Sequence, residues 1–168
     1  EAEYEKRFKT LIELVEKSDS KVEFISPEKS EELFTENSLL IVTDTMRKML
    51  VEAQKILAEC KNKVIIDHHR KTPDFIDDSV LEFLEPYASS ACEMVAELVQ
   101  YSPSKTKLLP VEAEALLAGI ILDTKNYTLR VGVRTFEAAA YLKDCKADTV
   151  TVKKLFSASV EENILVSK

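Results

Sequence analysis

Two short apolar runs, separated by a segment of helical spacing, constrain the fold of this chain more than any other feature of its sequence. Residues 39–42 and 64–66 are continuously apolar, which is typical of parallel strands covered on both faces. Residues 48–60 have helical spacing, with Met49 and Leu57 among the side chains expected to face inward. A strand, a helix and a strand within about 30 residues form a right-handed parallel crossover. The sequence therefore predicts an α/β fold with a parallel sheet flanked by helices.

The rest of the chain is mainly helical in pattern, and we treat the whole as a single domain. Residues 1–86 are expected to form the sheet-bearing part and residues 87–168 a mainly helical part, with the C-terminal third helical. Ser90 is an expected helix N-cap, with Glu93 completing a capping box. The remaining predicted elements are strands at residues 22–25 and 80–84, and helices at residues 2–17, 27–34, 91–101, 111–122, 134–145 and 148–156.

Charge and apolar content exclude several classes of function. Acidic residues outnumber basic ones, 30 against 23, which gives a net charge of −7. This charge opposes binding to duplex nucleic acid, because no stripe of Lys and Arg offsets it. The longest apolar run, residues 115–122, is much shorter than the roughly 20 residues of a membrane span. The cysteines, Cys60, Cys92 and Cys145, lie far apart, so we expect reduced thiols in a cytoplasmic protein.

Acidic and histidine side chains follow both apolar runs at the points where the predicted strands end. Asp44 follows the first run, and Asp67, His68 and His69 follow the second. Ligands of open α/β sheets bind outside the carboxyl ends of the strands, so these side chains should meet at one rim. Carboxylates and imidazoles together can bind Mn, Zn, Fe or Mg-type cations. A helix cap at Asp44 and turn histidines are the structural alternative, and spacing alone leaves both interpretations open.

Five segments, taken in order, carry a resemblance to a known family. The run Ile-Ile-Asp-His-His-Arg at residues 65–70 resembles the signature of the DHH phosphoesterase superfamily. The other segments resemble the motifs of its GdpP/YybT-type branch, the cyclic-di-AMP phosphodiesterases; they are residues 42–45, 85–93, 117–127 and 130–136. The resemblance extends from about Phe24 to the C-terminus and implies a DHH-like fold.

The resemblance implies an enzyme with two divalent ions, usually Mn²⁺, that hydrolyses cyclic-di-AMP to the linear dinucleotide. Carried over residue by residue, Asp44 would bridge the two metals, and His68 and Asp123 would ligate the second metal. His69 would face the substrate phosphate, and Asp67 would orient His68 from behind. Two cations a few ångströms apart clamp phosphate oxygens and a nucleophilic hydroxide, and a carboxylate behind a ligating imidazole fixes its tautomer.

Arginines are the expected phosphate donors, because a guanidinium pairs bidentately with phosphate. Arg70, Arg130 and Arg134 are the candidates, and a surface or structural role is the alternative for each. The implied partner is a cyclic dinucleotide, and the implied location is the cytosolic domain of a membrane-anchored bacterial protein. A monomer and a homodimer both remain open.

The sequence also departs from the family pattern. The first family motif, Gly-His-x-x-x-Asp-x-Asp, supplies a His and two Asp ligands, but the chain has no histidine besides His68 and His69. The second motif usually reads Asp-Thr-His-Arg-Pro, and Met46 stands here in place of its histidine. The Gly-rich DHHA1 substrate domain cannot fit a chain whose glycines are Gly119 and Gly132.

Two interpretations follow from these departures. We expect an excised part of a longer enzyme that binds Mn²⁺ weakly and is inactive alone. The alternative is a non-catalytic, degenerate DHH-like regulatory or interaction module, in which Met46 marks lost function. A DHH phosphatase or oligonucleotidase with another substrate is the remaining possibility.

Overall fold

The computed structural model describes residues 2–104 and 107–157 of the chain. A 3₁₀ turn at Lys48–Leu50 lies between the first strand and the third α-helix. The helices and strands in chain order are α1 Ala2–Glu16, α2 Pro27–Leu33, β1 Leu39–Thr43, α3 Gln54–Glu59, β2 Asn62–Asp67, β3 Leu81–Leu84, α4 Ala91–Gln100, α5 Pro110–Asp123, α6 Val133–Asp144 and α7 Thr149–Ser157.

The sheet is parallel and has the order β1-β2-β3, which confirms the predicted α/β fold. β2 is the central strand, and Ile65 on it is almost fully buried. Thr43 pairs with Ile66, and Asp67 pairs with Leu84, so the three strands end at one edge of the sheet. This edge is the rim at which the sequence placed the candidate ligands.

The strand β1 differs from the prediction of a strand covered on both faces. Val42 is buried, but Leu39 and Ile41 are 57% and 52% exposed. Successive side chains of a strand point to opposite faces, so the described part of the chain covers one face of β1 only. The predicted strand at residues 22–25 does not form either; this segment is irregular and pairs with no strand among the described residues.

The predicted helix at residues 48–60 is broken. Only the 3₁₀ turn and the short α3 are helical, and Met49, expected to face inward, is 80% exposed. The backbone before the break pairs with a distant loop instead: Ile76 donates to the Met46 carbonyl at 2.8 Å, and Lys48 donates to the Asp74 carbonyl at 3.1 Å. This pairing interrupts the predicted helix, so α-helix begins only at Gln54.

Helices α4–α7 form the second layer and confirm the predicted helical C-terminal third as far as Ser157. Their shared core has nearly no exposed surface and includes Leu117, Ile120, Leu142 and Val152. None of the helices in the described part of the chain has the length and apolar content needed to cross a membrane.

The two glycines of the chain differ sharply in the space around them. A Cβ added at Gly119 of α5 would lie 2.2 Å from Sγ of Cys92 on α4, whereas one added at Gly132 would meet nothing within 4 Å. We expect Gly119→Ala to lower the free energy of unfolding by about 1–3 kcal/mol through overpacking, although alanine favours helix. Chemical denaturation measures this loss, with Gly132→Ala as the control of small effect. The loss should shrink in a Cys92→Ala background, and simple additivity of the two changes would contradict the contact.

Candidate metal centre

Asp44 turns the chain at the end of β1 in a left-handed backbone conformation, with φ of 64°. Aspartate tolerates this region better than most residues because its short side chain bonds locally. The Asp44 N–H donates to the Ile66 carbonyl at 3.0 Å, which fixes the residue beside the end of β2. Its exposed carboxylate places Oδ1 3.2 Å from Nε2 of His68.

His68 is buried and has both ring nitrogens engaged. Its Nδ1 lies 3.4 Å from the Ala88 carbonyl, which can only accept, so Nδ1 carries the proton. Nε2 then faces two carboxylates, Oδ1 of Asp44 at 3.2 Å and Oδ2 of Asp123 at 3.9 Å. A backbone carbonyl behind a histidine in this way fixes the tautomer that presents Nε2 to a cation.

The electrostatics of this group are those of a site that attracts positive charge. The hydrogen bond to Asp44 is the main cause that raises the pKa of His68, against the opposing effect of burial. Burial and the nearby charge of Asp44 raise the pKa of Asp123. When His68 is protonated, its Nε2–H can pair with the carboxylates of Asp44 and Asp123.

Protons should compete with a cation at His68, and the raised pKa gives the direction. The pair of protonated His68 with Asp44 makes its full contribution to the stability of the metal-free chain at pH values below the ordinary histidine pKa of about 6.5. This contribution is lost as the pH rises through the raised pKa of His68. A cation needs the unprotonated Nε2. Mn²⁺ affinity should therefore increase between about pH 5 and pH 8 in calorimetric titrations. The increase of Mn²⁺ affinity with pH should persist in His69→Gln. A Mn²⁺ affinity independent of pH would argue against ligation by His68.

Asp67 lies behind His69 rather than behind His68. Its fully buried carboxylate accepts from Nδ1 of His69 at 2.7 Å and from the His69 backbone N–H at 3.2 Å, both at Oδ1. This differs from the predicted role, in which Asp67 orients His68. The second oxygen, Oδ2, has no hydrogen-bond partner within the described ranges. The contact fixes the ring of His69 and leaves its Nε2 for the pocket.

A pocket of about 260 Å³ brings these groups together. Ligand atoms of Asp44, His68 and His69 lie within 4.8 Å of one another, a spacing that fits a metal ion. The pocket is lined by Asp44, His68, His69, Ser89, Asp123, Leu129 and Arg130. Of the side chains predicted to meet at the strand ends, Asp44, His68 and His69 do converge, whereas Asp67 lies behind His69 and outside the lining. Carboxylates and imidazoles together are a donor set that suits a divalent cation.

One wall of the pocket comes from a strained turn after α5. Asp123 is the last residue of the helix, and Arg130 follows the turn. Lys125, Asn126 and Tyr127 all have positive φ, between 47° and 59°, and so does Arg130. Non-glycine residues in this region cost of order 1–3 kcal/mol each, and such strain clusters at functional sites. Leu129 and Arg130, which follow these residues, both line the pocket.

The three candidate arginines differ in their positions. Arg130 lines the pocket, whereas Arg70 is exposed and lies outside the lining. Arg134 is held by Glu97 through two bonds of 2.8 and 2.6 Å, and by Glu85 at 3.3 Å. Both carboxylates raise the pKa of Arg134, chiefly through the Glu97 hydrogen bond. Arg134 thus joins α6 to α4 through Glu97 and lies outside the pocket lining, and its predicted contact with the substrate stays a prediction.

Met46 belongs to the apolar core and not to the pocket. It is almost fully buried and packs in one cluster with Val42, Leu57, Ile65 and Ile76. A residue that faces the core does not report on the ligand set. The methionine is therefore poor support for the interpretation that this position marks lost function.

Comparison with known proteins identifies the family of this chain. Residues 5–120 match the DHH family, N-terminal domain. The chain is 48% identical over 158 residues to cyclic-di-AMP phosphodiesterase GdpP of Geobacillus thermodenitrificans, and 45% identical over 145 residues to GdpP of Bacillus subtilis. These matches cover 94% and 86% of the chain. The chain belongs to the DHH family.

The chain spans about a quarter of the curated relatives it matches, 24% of the first and 22% of the second. PdeA of Listeria monocytogenes, also a cyclic-di-AMP phosphodiesterase, is 43% identical over 81% of the chain and 21% of its own length. The fold is similar to that of an exopolyphosphatase-related protein from Bacteroides fragilis, with a TM-score of 0.65, 19% identity, and coverage of 76% of this chain and 38% of that one.

Proposed function

We propose that this chain supplies part of the active site of a metal-dependent phosphodiesterase that hydrolyses cyclic-di-AMP to the linear dinucleotide. The observation that carries the proposal is the orientation of the His68 ring. The Ala88 carbonyl engages Nδ1, and Nε2 faces the carboxylates of Asp44 and Asp123. The identity of 43–48% to cyclic-di-AMP phosphodiesterases supports this substrate.

Asp44, His68 and Asp123 would hold a divalent cation, and Mn²⁺ suits their mixed oxygen and nitrogen donors. When bound, such a cation polarises a phosphoryl oxygen and lowers the pKa of a water molecule. Three ligands are enough for one weakly held ion. The His and two Asp ligands of the first family motif are not in this sequence, so the complete two-ion site requires residues from outside it.

The remaining groups of the pocket would bind and orient the phosphate. Asp67 holds the ring of His69 so that Nε2 can meet a phosphate oxygen. Arg130 is the guanidinium that lines the pocket, and of the three candidate arginines we assign it the phosphate contact. The free thiols of the chain are consistent with a cytosolic location, which we extend to this part of a membrane-anchored parent.

A chimera tests the proposal. In GdpP of Geobacillus thermodenitrificans, the 158 aligned residues are replaced by those of this chain, and cyclic-di-AMP hydrolysis is measured with Mn²⁺. We expect hydrolysis to the linear dinucleotide within about tenfold of the parent GdpP rate, and its loss in His68→Ala. The isolated chain should show no hydrolysis above background.

A control separates chemistry from folding. Without metal, the chimera and its His68→Ala variant should both unfold cooperatively above the assay temperature, although loss of the buried imidazole lowers the unfolding midpoint of the variant. A folded chimera with no hydrolysis, or one that hydrolyses the substrate equally well without His68, would contradict the proposed function.

A further inference from the structure

Glu93 is a buried carboxylate that the site described above does not use. Its side chain on α4 is only 1% exposed, and no cation is paired with it among the described residues. Oε2 accepts from the Ser89 backbone N–H at 3.2 Å and also from the Ser89 hydroxyl. Burying a carboxylate is costly unless hydrogen bonds compensate for the lost water, and the two contacts with Ser89 offset part of this cost.

The contact differs from an ordinary helix cap. The Glu93 N–H is already capped by Ser90 Oγ at 3.0 Å, and the carboxylate turns to the residue before that cap. In α5, by contrast, Glu112 accepts from the N–H of the N-cap residue itself, Leu109, at 2.9 Å. Glu93 therefore fixes the loop that leads into α4 rather than the first turn of the helix alone.

That loop carries the acceptor for His68. Ala88 is the residue before Ser89, it is almost fully buried, and its carbonyl lies 3.4 Å from Nδ1 of His68. The Ala88 carbonyl and the Ser89 N–H belong to one peptide unit, and that N–H donates to Glu93. The Ala88 N–H donates to the Glu85 carbonyl at 2.9 Å, which fixes the preceding peptide unit. Glu93, Ser89 and the Ala88 carbonyl thus form a continuous path to the ring of His68.

We propose that Glu93 is a positioning residue: through Ser89 it holds the Ala88 carbonyl against Nδ1 of His68, and so keeps Nε2 directed at Asp44 and Asp123. The use of Nε2 as a ligand rests on the proposed function. The placement of the ring does not, since it is a property of the metal-free chain. A loose Ala88 carbonyl would let the ring rotate and offer either nitrogen to the carboxylates.

The Nδ1 proton of His68 gives a direct measurement, because His68 and His69 are the two histidines of the chain. The chain is labelled with ¹⁵N-histidine without metal, and the His69→Gln variant assigns the signals. The hydrogen-bonded, buried Nδ1–H should exchange slowly with water. In Glu93→Ala we expect its exchange to become about tenfold faster or its signal to disappear, since one hydrogen bond is worth about 1 kcal/mol or more when it is buried.

Matched variants make the test specific. Glu93→Gln should restore slow exchange, because its amide oxygen still accepts from Ser89. Glu112→Ala removes the corresponding glutamate of α5, which also accepts from Ser20 Oγ at 2.8 Å, and should leave the His68 signal unchanged. Equal acceleration in Glu93→Ala and Glu112→Ala would mean a general loss of stability and would overturn the proposal.

A second variant keeps the proposal testable if Glu93→Ala does not fold. Ser89→Ala removes the hydroxyl bond and keeps the backbone bond to Glu93, so exchange at Nδ1 should be accelerated to an intermediate degree. Unchanged exchange in Ser89→Ala would overturn the proposal. An inactive chimera with normal Nδ1 protection would instead count against the proposed function alone.

Discussion

His68→Ala is expected to remove Mn²⁺ binding by this chain. The wild-type chain should show at most one weak site, because its sequence offers Asp44, His68 and Asp123 but not the ligands of the first family motif. Loss of the imidazole leaves two carboxylates that repel each other, so affinity should fall by about 100-fold or more. Isothermal titration calorimetry with Mn²⁺ measures the change.

Two aspartate substitutions, one at a proposed ligand and one at the surface, provide a matched comparison for this prediction. Asp44→Asn should weaken Mn²⁺ binding strongly, whereas Asp77→Asn should leave it unchanged, because Asp77 is paired with Lys48 on the surface. Two tight sites in the wild-type chain, or a full binding isotherm in His68→Ala, would show that the ligand set is wrong.

The second large effect should separate the two histidines. In the chimera, His69→Ala should retain Mn²⁺ and lower kcat by about 10²–10⁴-fold, since His69 is expected to meet the phosphate as charge develops. His68→Ala should lose both the metal and the rate. Elemental analysis of each purified variant, combined with initial rates on cyclic-di-AMP, distinguishes the roles.

Two other outcomes would change the account of this pair. Equal loss of metal in both variants would make the histidines joint ligands, as the close packing of their rings, 4.5 Å between centroids, would permit. Retention of metal in both variants would make the cluster structural and would favour a non-catalytic module.

Local patterns were sufficient to predict the sheet, but not everything packed against it. The runs that became β1 and β2 are short, apolar and separated by a crossover, so their parallel pairing follows from chain topology. The helical spacing of residues 48–60 was misleading because the loop at residues 74–76 pairs with the backbone around Met46 and Lys48. A sequence window contains no information about such a distant partner.

In the candidate site, too, some features follow from the sequence and others depend on distant partners. Strand ends and the family resemblance together predicted that Asp44, His68 and Asp123 meet, and the structure brings them to one pocket. The partner of Asp67 was not predictable, because alternation along a strand gives opposite sides to adjacent histidines without saying which side holds the carboxylate. Arg134 on α6 and Glu97 on α4 are 37 positions apart in the sequence, and no periodicity predicts their pairing.

Anomalous scattering from crystals of the chain soaked in Mn²⁺ tests the central claim most directly. The account predicts one peak at the Mn edge, about 2.2 Å from Nε2 of His68 and within ligand distance of Asp44 or Asp123 carboxylate oxygens, with the Nδ1 of His68 still on the Ala88 carbonyl. A peak elsewhere on the chain, or no peak at this pocket under conditions in which calorimetry detects binding, would contradict it.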